Sequence, residues 1–271
     1  YDYGRRFWTD EYRMNARLFH FPKPVASFMQ GFTMGGGVGV GCHASHRVVG
    51  ESSKVAMPEC GIGLVPDVGG SWILGHAPGR LGEYLGVTGA RMGPADAIHA
   101  GFADYFVPEA EWPDLIARLV ETGDWSLIDA AAKAPPPGRL PEIEDKVRFT
   151  FSGAQLRDVV RALSREGDDF AAETLGMMRR NSPLSMACTL ELVRRARAFE
   201  DIRPALEMEY RFTSRAMEHG DFLEGIRAAI IDKDRKPRWK HPSIEAVPDA
   251  EVTAMLMPLP REARVFTEET S

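Results

Sequence analysis

Apolar residues recur at helical spacing over residues 5–19, namely Phe7, Trp8, Tyr12, Met14 and Leu18, and Thr9-Asp10-Glu11 reads as the opening of a helical turn. That spacing predicts an amphipathic helix. Phe21-Pro22-Lys23-Pro24 stops it, because proline removes a backbone donor and biases the preceding residue towards extended backbone. The largely apolar run 25–29 reads as a buried strand. Met34-Gly35-Gly36-Gly37-Val38 then sets three glycines where the strand should hand over to a helix. Residues 38–44 are too rich in glycine for propensity alone to specify a helix, although small residues suit one packed closely against its neighbours. Short strands are expected at 47–49 and 54–57, separated by Gly50-Glu51-Ser52-Ser53. The apolar run Trp72-Ile73-Leu74 reads as helical, as do 79–90 and 93–103, with a strand-like terminator at Tyr105-Phe106-Val107-Pro108 and a further helix over 113–121.

The pattern changes at Ala134-Pro135-Pro136-Pro137-Gly138-Arg139-Leu140-Pro141, which cannot continue a helix and reads as a linker. Beyond it the chain is helical and charged. Helices are expected over 154–164 and 168–180. Another starts at Asn181-Ser182-Pro183, a capping residue followed by proline at the first helical position, and carries Leu184, Ala187, Leu190 and Val193 on one face. Further helices are expected over 204–219, closed by Gly220, and 221–231. The expected organisation is a core over 1–133, the linker 134–141, a helical region 142–240 and a tail 241–271, rich in Pro, Glu and Thr, extended over the surface. No internal repeat is visible.

At 271 residues, 44% hydrophobic and 27% charged, the chain is long enough to bury a sizeable core. A net charge of -6 argues against a nucleic-acid partner. No apolar run reaches membrane-span length, so no membrane partner is expected. Cys42, Cys60 and Cys188 form no CxxC pair, which suits a reducing compartment and packing roles. With no signal peptide in view, the expectation is a cytoplasmic protein.

The chemistry concentrates between Gln30 and Ser71. The first N–H groups of a helix lack an intrahelical partner, and the helix dipole favours negative charge there, so the glycine turn can hold an oxyanion. Read alone, it is more often just a tight turn, and it has neither the GxGxxG of a dinucleotide fold nor the GK[ST] of a P-loop. Glu59 follows in a loop after Pro58, where an acid is ordinarily a surface residue. Asp67 is open to a second reading as a cap for a helix beginning at Val68. Glu11 is open to one as a first-turn acid stabilising the dipole. His43 and His46 lie three apart without a third ligand, so no metal is expected, and no GxSxG elbow occurs.

Taken together, Gln30-Gly31-Phe32-Thr33-Met34-Gly35-Gly36-Gly37-Val38-Gly39, Met57-Pro58-Glu59 and Gly63-Leu64-Val65-Pro66-Asp67-Val68-Gly69-Gly70 resemble the crotonase (enoyl-CoA hydratase/isomerase) superfamily, and within it the 3-hydroxyisobutyryl-CoA hydrolases. The likeness extends upstream to Phe7 and downstream to Trp239. It implies an α/β fold of the ClpP/crotonase type, a spiral core followed by a helical C-terminal region. It also implies that whole members carry early strands and a second oxyanion-hole amide before Tyr1, so this chain is expected to be the later portion of a longer protein.

For the site, the resemblance implies that the Gly36 amide serves the oxyanion hole and that Glu59 and Asp67 are the catalytic acids. Glu11, in a Glu-Tyr pair with Tyr12, would line the substrate pocket. Lys233 and Lys236, in the basic stretch before Trp239, become candidate contacts for CoA phosphates, against a default reading as a solvated loop. Hydratases and dienoyl-CoA isomerases of the superfamily place an acid where this chain has Gly39. Its lack points to hydrolysis of a short branched 3-hydroxyacyl-CoA thioester, with a hydratase, an isomerase or a non-catalytic CoA-binding subunit as the other readings. The expected partner is the acyl-CoA substrate, with CoA part of it and no separate cofactor. A homo-oligomer, a trimer or a multiple of one, is expected.

Overall fold

The structure, a computed structural model, describes residues 1–266. Helix α1 (Asp2–Phe19) leads into β1 (Ala26–Met29), β2 (Phe32–Met34) and α2 (Gly36–Gly41), then β3 (His46–Val49), β4 (Lys54–Ala56) and a 3-10 turn, Glu59–Ile62. Three short helices follow, α3 (Gly70–His76), α4 (Leu81–Thr88) and α5 (Pro94–His99), then β5 (Tyr105–Phe106), α6 (Trp112–Thr122) and α7 (Ser126–Ala131). The remainder is helical: α8 (Leu140–Thr150), α9 (Leu156–Glu166), α10 (Asp169–Met178), α11 (Pro183–Ala196), α12 (Ile202–His219), α13 (Phe222–Ile226) and α14 (Asp249–Leu256). Among the described residues no helix is long and apolar enough to cross a membrane.

The strands form two small parallel sheets, ordered β1-β3-β5 and β2-β4. Strand β1 pairs with β3 from Ala26 opposite His46 to Met29 opposite Val49, and β2 with β4 from Phe32 opposite Lys54 to Met34 opposite Ala56. Parallel neighbours need crossovers, and here the glycine turn with α2 supplies one. The register therefore brings the ends of β2 and β4 side by side. One opens into Gly35 and α2, the other into Met57-Pro58 and the turn that carries Glu59.

Helix α1 buries Trp8, Tyr12, Asn15 and Ala16, positions one and two turns apart. The expected apolar set is only half right: Phe7 and Met14 are exposed, and a fully buried asparagine takes part in the core face. Helix α11 starts as expected, with the Ser182 side chain accepting from Ser185 N–H and Pro183 at the first position. It is buried nearly all round, because it runs between α3, α4, α12 and α14. One hydrophobic cluster runs from Trp8 to Val265 and joins both ends of the described chain.

Several boundaries differ from expectation. Strand β2 and helices α7 and α8 are additional. Helix α8 begins at Leu140, inside the proline-rich stretch, because Pro141 falls in its first turn, where proline costs no hydrogen bond. The expected helix over 221–231 is α13 followed by a π-helical turn, Arg227–Ile231. The tail is not simply extended: α14 buries Met255 and Leu256, and Val247 and Val265 are buried too. Its last five residues, 267–271, lie outside the described residues.

Candidate active site

Gly35 begins the site. Its φ of 53° is a left-handed conformation that side chains resist, and it turns the chain out of β2 so that α2 starts at Gly36. A Cβ on Gly35 would stand 3.3 Å from Glu59 Oε1, and one on Gly36 would stand 3.2 Å from Glu11 Oε1. The amide-rich turn is thus bordered by two carboxylates from separate elements. Glu59 is buried, and its Oε2 has no hydrogen-bond partner among the described residues. Its turn is fastened from downstream, where Ser182 N–H donates to Cys60 O at 2.9 Å and Ser182 Oγ donates to Asp221 Oδ2 at 2.6 Å.

Asp67 does not cap a helix. Helix α3 starts at Gly70, and the buried Asp67 carboxylate instead accepts the Tyr12 hydroxyl at 2.8 Å. Between Asp67 and α3, Val68 has a φ of 53°, which is costly for a β-branched residue and persists where surroundings enforce it. His43 Nε2 donates to Val68 O at 2.7 Å. Burial lowers the His43 pKa to about 4, so the ring is neutral and this donation fixes the tautomer. His43 therefore braces backbone.

Burial, and after it the charge of Asp67, hold Glu59 well above the ordinary carboxylate range. Asp67 is likewise held high by burial and then by Glu209, against the Tyr12 hydroxyl, which favours its ionised form. Burial also raises Glu11, though it keeps some exposure. Acids coupled this way do not all ionise together, so they give up their protons in separate steps.

The site residues expected from sequence, Glu11, Gly36, Glu59 and Asp67, thus come together. Lys233 and Lys236 do not join them. They are exposed on the segment after the π turn, and neither ammonium group makes a hydrogen bond or ion pair among the described residues. The residues of that segment that face a cleft beside Gly61 are Arg235, Pro237 and Trp239, across from Arg179 and Arg180.

Two residues have parts in the site that sequence reasoning did not find. Asn15 donates from Nδ2 to Gly39 O at 3.0 Å. A Cβ on Gly39 would lie 2.7 Å from that nitrogen and 2.8 Å from Val68 Cβ, so the position is closed to any side chain. Glu209, fully buried on α12, accepts from Gly69 N–H at 2.8 Å, Ser71 N–H at 3.0 Å and Ser71 Oγ at 2.5 Å. The available signal was an acid between Met208 and Tyr210 on the buried stripe of a helix, where carboxylates are rarely found unpaired.

A family model for enoyl-CoA hydratase/isomerase matches residues 1–256. Among curated relatives, the mitochondrial 3-hydroxyisobutyryl-CoA hydrolase of Gallus gallus is 34% identical, over 94% of this chain and 69% of its own length. That of Xenopus laevis is 36% identical, over 89% and 65%. The probable 3-hydroxyisobutyryl-CoA hydrolase 3 of Arabidopsis thaliana is 32% identical, over 96% and 73%. The chain thus spans about two thirds of the length of these relatives. Among solved structures, an enoyl-CoA hydratase from Rhodobacter sphaeroides superposes with a TM-score of 0.93 at 56% identity, covering 98% of this chain and 77% of that one. A carnitinyl-CoA dehydratase from Mycobacterium thermoresistibile gives 0.89 at 39%, covering 94% and 74%. The strand-and-helix core, the glycine turn between two acids and these matches agree: the chain belongs to the enoyl-CoA hydratase/isomerase (crotonase) family.

Proposed function

We propose that the protein acts in hydrolysis of a short, branched 3-hydroxyacyl-CoA thioester, 3-hydroxyisobutyryl-CoA to 3-hydroxyisobutyrate and CoA, a step of valine breakdown. The observation that carries the reading is the orphaned Oε2 of Glu59, a buried acceptor beside a turn of helix-start amides. Buried polar atoms are nearly always paired, so a partnerless one beside such a turn suits a reacting molecule. The names of the curated relatives point to the same reaction.

In this reading the thioester carbonyl oxygen lies at the Gly36 N–H, which stabilises the negative charge that develops there. Glu59, in its ionised form, takes a proton from water. The water oxygen attacks the carbonyl carbon, the tetrahedral species collapses, the C–S bond breaks, and Glu59 returns its proton to the departing thiolate. Alternatively Glu59 attacks directly and an anhydride is hydrolysed in a second step. Asp67, held by Tyr12, orients the water or the substrate 3-hydroxyl, and Glu11 supplies the polar end of the pocket.

A second reading, hydration of an enoyl-CoA, is favoured by the name of the Rhodobacter sphaeroides structure. Against it, two-acid hydration needs a carboxylate at Gly39, and Asn15 and Val68 leave no space for one. One assay separates these readings and the non-catalytic one. Free thiol appearing from 3-hydroxyisobutyryl-CoA supports hydrolysis. Loss of enoyl absorbance from a 2-enoyl-CoA without thiol supports hydration. CoA binding with neither signal supports a binding subunit.

A further inference from the structure

Asp67 lies just ahead of α3, and an acid in such a place ordinarily folds onto the free N–H groups of the helix that follows. Here that work is done from elsewhere. The residue at the cap position, Gly69, has no side chain, and Glu209 reaches over from α12 to take the N–H groups of Gly69 and Ser71 and the Ser71 hydroxyl. The helix start is satisfied by a carboxylate 138 residues away from Ser71. Asp67 is thereby released, and the left-handed turn at Val68, held by His43, directs it to Tyr12.

We propose that Glu209 is a positioning residue for the Asp67 and Glu59 pair: by capping α3 from α12 it keeps Asp67 off the helix and in the site, and its charge acts on both acids through space. The role rests on reading Glu59 and Asp67 as the acting acids. The titratable groups that feel Glu209 are Tyr12 on α1, Glu59 on the 3-10 turn and Asp67 on the loop. Ser71 on α3 and the backbone of Gly69 are its hydrogen-bond donors. Burial raises Glu209 itself to about 7, with those donors opposing, so it is partly charged at neutral pH. Its negative charge raises the pKa of Asp67 and of Glu59.

The test uses two variants, Glu209→Gln and Ser71→Ala. Three readouts are taken: the titration of the Asp67 carboxyl followed by carbon NMR, a crystal structure, and kcat and KM for thiol release. In Glu209→Gln the charge is gone and a donor faces donors. The Asp67 carboxyl should then titrate at lower pH and be drawn towards the start of α3. A displacement of this kind should lower kcat by about a hundredfold while KM changes little. Ser71→Ala leaves the carboxylate but removes one of its three donors, so a smaller loss of kcat is expected. An Asp67 that titrates as in the wild type and keeps its bond to Tyr12 in Glu209→Gln overturns the proposal. So does a variant that only melts earlier, with kcat and its acidic limb unmoved, which would make Glu209 a structural brace. Should Glu209→Gln not fold, unchanged Asp67 titration and kcat in Ser71→Ala overturn it. A wild-type protein that releases no thiol removes the hydrolase reading alone, since the titration and the crystal structure still decide the role of Glu209.

Discussion

The hydroxyl of Tyr12 donates to Asp67 Oδ2 at 2.8 Å, tying the first helix to an acid in the loop before α3. Both residues are buried, so the bond is made where water does not compete for it. It favours the ionised form of Asp67 against burial and against Glu209. Tyr12→Phe should therefore raise the Asp67 pKa, and the acidic limb of the kcat/KM profile should move to higher pH. Leaving a buried acceptor without its donor should also cost about 1–3 kcal/mol of stability, measured by urea unfolding. A limb that stays in place would show that Asp67 does not set it.

Glu59→Gln should reduce thiol release by about a hundredfold to ten-thousandfold, the range for a lost general base. Stability should not fall with it, because the wild-type carboxylate is buried with one oxygen unpaired and a neutral amide costs less to bury. Turnover near the wild-type rate would exclude Glu59 as the central acid.

Gly39→Glu is the change that a switch towards two-acid hydration would seem to require. The structure predicts failure, because the new Cβ would collide with Asn15 and Val68. Overpacking of this kind costs about 1–3 kcal/mol, and burying an extra acid adds to it. Thermal melting should show the loss, without gain of hydratase activity. A stable variant that hydrates enoyl-CoA would refute the argument from space.

Stability should decline between pH 5 and pH 7.5. Glu209 titrates at about 7 in the folded protein against an ordinary value of 4.5, so the folded state holds the extra proton in that window. A group shifted upward in this sense contributes stability that is complete below its unfolded pKa and is lost as pH rises through the folded one. Glu59 and Asp67 are shifted the same way, whereas the lowered His43 opposes them below its ordinary value of 6.5, so the decline is the excess of three acids over one histidine. Urea midpoints should be lower at pH 7.5 than at pH 5, and the opposite order would contradict the burial of these acids as ionisable groups.

The glycine turn was legible as a glycine run at the end of a strand, whereas Glu59 and Asp67 stood out only through the resemblance of the whole stretch, since a proline beside an acid by itself suggests a surface loop or a cap. The parts that were not legible arrive from a distance. Glu209 reaches the loop from α12, and nothing near residue 67 announces it. Asn15 is a polar residue on a face that periodicity assigns to apolar ones, and its partner is a carbonyl on α2. Helix α8 was hidden by a proline-rich stretch, whose last proline proved to belong to a first turn. Local pattern gives the elements, whereas the partners of buried polar groups are set only when the elements pack.

The turn bearing Glu59 is pinned by Ser182 and, through it, by Asp221. These anchors emerge from the ribosome more than a hundred residues after the acid they hold. A chain released just after the proline-rich stretch would carry the glycine turn and Glu59 yet lack what fastens them. The geometry of the candidate site therefore depends on closure of long-range contacts, which slows the search for the native state.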